Sequence, residues 1–293
     1  MVFWLNTLEG DNMATIIDGK ALSLKVKNDL KIKVEKFNKE NNRQITLAVI
    51  LVGENPASQV YVKNKITACE YVGIKSLAFY MPESSTEEQV IECVQNLAND
   101  NSVDGILVQL PLPKHIDEDK ILNFIPTDKD VDGFKAENIG KLSMGLPCTV
   151  ACTPFGVIKM LKEYGVELKG KNAVVLGRSN IVGKPASMLL LNENCTVTIC
   201  HSKTQNLKEK CLQADVIVAA IGKPKFVTAD MVKEGAVVID VGINRTENGL
   251  VGDVDFEAVK EKASMITPVP GGVGPMTIAM LMENTYNSAI RRK

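Results

Sequence analysis

Apolar and polar positions along the chain follow two periods in turn. Short, nearly unbroken apolar runs stand at residues 46–52 (TLAVILV), 75–80, 103–109, 172–176 (NAVVL), 196–200, 216–220 and 237–241, with a shorter one at 265–269. Runs of this length, bounded by Gly, Pro, Asn or Asp, predict buried strands. Between them the apolar residues return every three or four positions. In residues 18–39, Leu22, Val26, Leu30, Val34 and Phe37 share one stripe, which predicts a helix. Helices are also expected over 58–72, stopped by Gly73, and over 86–99, with Ser84 or Ser85 as N-cap and Glu87 and Glu88 in the first turn. Three more are expected over 154–164, 185–192 and 277–290.

Strand and helix alternate almost throughout, with no repeat and no low-complexity linker. The fold class read from this is α/β, with parallel sheets covered by helices. A junction is expected near 145–153. The expected division is a discontinuous N-terminal α/β domain, 13–148 joined by a returning terminal helix at 275–293, and a Rossmann-like domain with a parallel sheet at 149–274. Residues 1–12 carry a short apolar patch without a basic flank. They read as an extension outside the fold rather than a signal peptide.

Composition narrows the function. A formal net charge of -1 gives no reason to expect nucleic acid or an anionic membrane as partner. No apolar stretch reaches the ~18 residues of a membrane span. Seven cysteines, an odd number without a CxxC, read as reduced thiols of a cytoplasmic protein. With only two histidines, no metal site is expected.

The strongest chemical signal is the turn after the strand at 172–176. The strand stops at Gly177 and a helix begins after Gly183, so backbone N–H groups at the helix start are open to a pyrophosphate. Ser179 replaces the second glycine of the usual G-x-G-x-x-G, and the last glycine comes one position late. An ordinary βα loop is the plain alternative. The next strand runs into His201, Ser202, Lys203 and Thr204, with no acid to hold a ribose 2′-hydroxyl. Hydroxyl and cationic groups there, with Arg178, suit a 2′-phosphate, so NADP is expected over NAD. The alternative is a set of solvated surface residues.

The first half offers weaker signals. Tyr61 and Lys65 stand at i and i+4 beside the core stripe of their helix and present an aromatic plane next to an amine. Gln109 ends a strand, where parallel sheets bind ligands. Asp130 and Asp132 flank a turn in KDVDGF. Residues 268–275 form a loop dense in Pro and Gly that permits close approach to a ligand. Taken singly, each also fits a boundary residue, a turn former or a hinge.

Together the stretches VGENPASQVYVKNK (52–65), ILVQLPLP (106–113), KDVDGF (129–134), CTPFGV (152–157), GRSNIVGKP (177–185), HSKT (201–204), VVIDVGIN (237–244) and TPVPGGVGPMT (267–277) resemble the bifunctional methylenetetrahydrofolate dehydrogenase/methenyltetrahydrofolate cyclohydrolase family. The resemblance runs from about residue 13 to the C-terminus. It implies oxidation of 5,10-methylenetetrahydrofolate with NADP, then hydrolysis of the methenyl product to 10-formyltetrahydrofolate in the same cleft. It implies Lys65 as catalytic lysine, Tyr61 stacking on the folate, Gln109 hydrogen-bonding the lysine, and Asp132 anchoring the pteridine. Pro270, Gly271 and Gly272 would line the folate pocket. Gly177, Arg178, Ser179, Ser202 and Ile243 would bind the cofactor. The implied partners are a reduced folate and a second copy of the chain in a homodimer. A different NADP oxidoreductase acting on amino or hydroxy acids, or a non-enzymatic NADP-binding module, would share the second domain. The oxidoreductase would need an acid or base in the first domain, for which Lys65 could also serve; against the non-enzymatic module stands a lysine, glutamine and aspartate that all match one catalytic pattern.

The acid-free turn at 201–204 makes a direct prediction. The KM for NADP should lie well below that for NAD in the same dehydrogenase assay, and a lower KM for NAD would overturn it.

Overall fold

A computed structural model of the chain describes residues 14–247 and 249–292. The expected extension at 1–12 lies outside them. β1 (Thr15–Ile16) is followed by α1 (Gly19–Asn41), β2 (Thr46–Val52), α2 (Pro56–Val72), β3 (Lys75–Met81), α3 (Glu87–Asn99) and β4 (Gly105–Val108). Two short helices, α4 (Glu118–Asn123) and α5 (Ala136–Ser143), lead to α6 (Cys152–Glu163). Then come β5 (Asn172–Leu176), α7 (Gly183–Asn192), β6 (Thr196–Cys200), α8 (Leu207–Leu212), β7 (Val216–Ala219) and β8 (Val237–Asp240). A hairpin of β9 (Asn244–Thr246) and β10 (Gly249–Val251), helix α9 (Phe256–Val259), β11 (Met265–Ile266) and α10 (Val273–Arg291) complete the order. Among the described residues, no helix is long and apolar enough to cross a membrane.

The strands form two parallel sheets. The smaller has the order β3-β2-β4. The larger has the order β1-β11-β8-β7-β5-β6. The unbroken apolar runs arise because both faces of each inner strand are covered. In β2, Leu47, Val49 and Leu51 join a core shared with α1, α2, α6 and α10, while Ala48, Ile50 and Val52 pack toward α3. In the larger sheet, Ala173, Val175, Val216, Val218 and Ile239 face the same central core, and Val174, Ile217 and Val238 face the opposite one.

β1 departs from the expected division. The expected first domain starts at residue 13, yet Thr15 and Ile16 pair with Met265 and Ile266 at the edge of the larger sheet. A two-residue strand shows no period, so only its partner reveals where it belongs. α10 joins the halves. It packs against α1, α2 and α6, and its buried face includes Met276, Met280, Leu281 and Thr285. α1 is tied to the end of α6 as well. The Asp18 N–H donates to the Tyr164 hydroxyl at 2.8 Å, and Lys25 pairs with Glu163 at 2.7 Å.

Local chemistry sets the helix ends. Asn55 accepts from the Ala57 and Ser58 amides and Pro56 fills the first turn, so α2 starts two residues before the expected 58. Gly73, at φ 83°, closes it by donating to Cys69 and Glu70 carbonyls. α3 is capped by Thr86 in a capping box with Gln89, not by Ser84 or Ser85. Ser85 is buried, and its carbonyl meets the His115 ring at 2.9 Å. α10 begins at Val273, four residues before the expected start, directly after the glycine-rich loop.

Candidate active site

Parallel strands end on one edge of a sheet, and that edge is where the site forms. Gln109 follows β4. Its N–H donates to the Ile50 carbonyl at 2.8 Å, which registers it against β2. Its carboxamide is held at both ends. Nε2 donates to the Leu110 carbonyl at 2.6 Å, so Oε1 is turned to accept from Lys65 Nζ at 2.9 Å. Lys65 and Tyr61 come from one face of α2, and both line a cavity of about 340 Å³ with Gln109 and Asp132. Ile181, Val182 and Ile243 line the same cavity from the second half of the chain. The amine therefore faces the crevice between the two halves, not bulk solvent.

Asp130 and Asp132, two positions apart in a shared turn, do different work. Asp130 is buried and accepts from the Gly133, Phe134 and Lys135 amides and from the Asn138 side chain. It builds the turn. Asp132 looks into the cavity. Burial pushes its carboxyl up to about 6, against the pull of the Lys65 charge. Cys152, at the start of α6, lies 3.9 Å from Asp132 Oδ1, and burial pushes this thiol well above the usual range. Asn284 of α10 donates to the carbonyls of Val131 and Val150, both at 2.9 Å, and so pins the segment carrying Asp132.

A second cavity of about 480 Å³ shares Tyr61, Ile243, Gly274 and Ile278 with the first, so the two form one cleft. Pro270, Gly271 and Gly272 wall it. This loop is clamped to the start of α1. The Lys20 N–H donates to the Gly271 carbonyl at 2.9 Å, and a Cβ on Gly19 would stand 1.9 Å from the Gly272 oxygen.

A third cavity, about 320 Å³, opens at the carboxyl ends of β5, β6 and β7. Gly177, Arg178, Ser179 and Ser202 line it. Gly177 sits at φ 123°, and a Cβ there would meet the Ala220 carbonyl oxygen at 2.2 Å; one on Gly183 would meet the Gly177 oxygen at 2.3 Å. Only glycine fits either position. The Ser179 hydroxyl accepts from the Val182 and Gly183 amides, at 3.2 and 3.3 Å. The expected open amides at the helix start are thus partly capped from within. The open donors lie earlier: among the described residues, the amides of Arg178, Ser179, Asn180 and Ile181 have no protein acceptor. Among the described residues, the lining carries no carboxylate and two cations, Arg178 and Lys223. An acid-free cationic cradle beside free amides fits a dinucleotide with a 2′-phosphate.

Known proteins decide the family. The family model described as tetrahydrofolate dehydrogenase/cyclohydrolase, catalytic domain, matches residues 17–132, and that of the NAD(P)-binding domain matches 151–293. The chain belongs to the tetrahydrofolate dehydrogenase/cyclohydrolase family. The bifunctional protein FolD of Agathobacter rectalis is 57% identical over 95% of this chain and all of its own length. That of Campylobacter curvus is 60% identical over 94% of this chain and 96% of its own. The crystal structure of the bifunctional FolD enzyme from Campylobacter jejuni superposes with a TM-score of 0.93 at 55% identity, covering 96% of this chain and 100% of that one. The Trypanosoma brucei enzyme, solved with NADP cofactor and an inhibitor, gives 0.90 at 36% identity, covering 95% and 99%.

In this family member, Tyr61, Lys65, Gln109, Asp132, Ile243 and the 270–272 loop meet in one cleft, while Gly177, Arg178, Ser179 and Ser202 meet in the neighbouring pocket. Sequence reasoning missed Lys223, which lines the cofactor pocket with its Nζ 5.5 Å from the Phe226 ring centroid. Its signal was a cation just past the end of an apolar run. It also missed Asn284, which lies with Thr285 and Ser288 among the buried residues of α10.

The raised carboxyl of Asp132 has a consequence for stability. The folded chain holds this proton more tightly than the unfolded chain, so ionisation above about pH 6 opposes folding, and the penalty fades as pH falls toward about 4. Asp132→Asn removes the titration. The melting temperature of the variant relative to wild type should therefore be highest at neutral pH and drop on acidification. A pH-independent difference would contradict the shifted carboxyl.

Proposed function

We propose that this chain oxidises 5,10-methylenetetrahydrofolate to 5,10-methenyltetrahydrofolate with NADP and then hydrolyses it to 10-formyltetrahydrofolate in the same cleft. The observation that carries this reading is the 2.9 Å bond from Lys65 to Gln109 inside a crevice that Asp132 and Tyr61 also line. NADP, when bound, accepts the hydride that leaves the methylene carbon. The chain's part in that step is orientation. Tyr61 stacks on the folate, Asp132 anchors the pteridine, and Pro270, Gly271 and Gly272 close the pocket wall, so that the carbon faces the cofactor. Gly177, Arg178, Ser179, Ser202 and Ile243 hold the cofactor.

The second step needs proton handling. Water adds to the cationic methenyl carbon and loses a proton; N5 then gains a proton as its bond to that carbon breaks, and the hydroxyl gives up its own proton to leave the formyl C=O, so that one proton is released overall. Lys65, steered by Gln109, is the group in reach of both events.

We further infer a cytoplasmic homodimer that pairs through the cofactor-binding half. Supporting the dimer is β6, the terminal strand of the larger sheet, where Thr196, Thr198 and Ile199 are exposed. Supporting the compartment is that all seven cysteines are free thiols.

The test is Lys65→Met, assayed for the two products separately. Ring opening should fall by at least about 100-fold, while NADP affinity stays unchanged. Full ring-opening activity in the variant would show that another group handles the proton.

A further inference from the structure

Two carboxylates of the second half, Asp240 and Asp253, are buried and have no lysine or arginine partner among the described residues. Asp240 stands at the wall of the folate cleft, and Asp253 lies behind it, lining none of the three cavities described above. Backbone amides satisfy them instead, and the amides come from loops that wall different cavities. Asp253 Oδ2 accepts from the Ile221 and Gly222 amides, at 2.7 and 2.9 Å. Its Oδ1 accepts from the Lys223 amide at 2.8 Å and from Asn244 Nδ2 at 2.9 Å. Asp240 Oδ1 accepts from the Gly242 and Asp253 amides, both at 2.9 Å, and Oδ2 accepts from the Val254 amide at 2.9 Å. The Asp240 N–H donates to the Thr267 hydroxyl at 2.7 Å, one residue before the proline-rich loop.

The glycines nearby record how tightly this cluster closes. A Cβ on Gly242 would lie 2.3 Å from the Asp253 carboxylate, and one on Gly252 would lie 1.8 Å from Asp240 Oδ2. Backbone and carboxylate thus meet with no space for a side chain between them. Ile221 and Lys223 wall the pocket that also holds Gly177 and Arg178. Gly242 and Ile243 wall the folate cleft. One side chain, Asp253, therefore spans the exit loops of two neighbouring strands, β7 and β8.

We propose that Asp253 is a positioning residue for the dinucleotide: it locks the loop at 221–223 to the loop at 241–244, so that the two ends of the cofactor are received at one fixed spacing. It touches neither substrate nor cofactor. It acts through Lys223 and Ile221 at the outer pocket and through Asn244, next to Ile243, at the cleft. The inference rests on the NADP reading above.

The experiment compares wild type with Asp253→Asn and Asn244→Ala. The first replaces a four-bond acceptor by an amide that must turn a donor toward other donors. The second removes only the bridge to the β8 loop and leaves the buried carboxylate in place, so it tests the idea even where Asp253→Asn folds poorly. Two quantities are read: amide hydrogen exchange of the ligand-free chain, and NADP affinity by calorimetry. In Asp253→Asn, exchange at 221–223 should quicken and the NADP Kd should rise by roughly tenfold, the loss of one or two net hydrogen bonds. In Asn244→Ala, exchange should quicken at 241–244 and the Kd should rise by a smaller factor. In both, the NADP Kd should rise by a larger factor than the KM for methylenetetrahydrofolate, whose cleft the 241–243 stretch also walls. Either folded variant with quickened exchange but wild-type NADP affinity would overturn the positioning role and leave the NADP reading intact. Unchanged exchange in both would overturn it too. Failure of the wild-type chain to bind NADP would instead overturn the reading on which it rests.

Discussion

Everything in the cleft depends on one contact between residues 44 positions apart, the ammonium of Lys65 on the carboxamide of Gln109. Neither partner is free to choose it. Gln109 is registered by its backbone bond to Ile50, and its amide is oriented by the Leu110 carbonyl. Lys65 is aimed by α2, whose start is set by Asn55 and Pro56 and whose end is set by Gly73. Shifting either element by one residue would turn the amine away from the glutamine. The parallel pairing of β2 with β4 thus translates directly into the position of a proton-carrying group.

The second requirement is that two lobes keep one crevice between them. α10 meets it by packing against α1, α2 and α6, and by sending Asn284 to the segment that carries Asp132. The loop before α10 walls the cleft and is bound to the start of α1. The same stretch of chain, from Thr267 to Asn284, therefore shapes the pocket, anchors its acid and joins the halves. A glycine-rich loop followed directly by a buried helix suits this. The glycines let α1 approach, and the helix behind them supplies rigidity.

Much of this was legible in the residues because burial on both faces writes unbroken apolar runs. β2, β5 and β6 match their expected bounds, and every longer strand appears where its run stands. Features without a period were not legible. β1 has two residues and belongs to a sheet whose other strands are far along the chain. The short helices α4, α5, α8 and α9 carry too few turns to show a stripe. Thr86 and the two serines before it are equally good caps by type, and only the capping box with Gln89 distinguishes them. Asp130 and Asp132 looked alike because both sit in one turn; tertiary contacts make one a turn builder and the other a cleft acid. Lys223, Asp240 and Asp253 went unseen because their partners are backbone atoms or cavity walls, which composition does not reveal.

The central claim is that Lys65 carries the proton of the ring-opening step from within this crevice. Chemical rescue measures it most directly. In Lys65→Ala, hydrolysis of methenyltetrahydrofolate is followed while small primary alkylamines are added. The account predicts that ring opening, nearly absent in the variant, returns with added amine and follows the amine's basicity. Ring opening at the wild-type rate without any amine would contradict it.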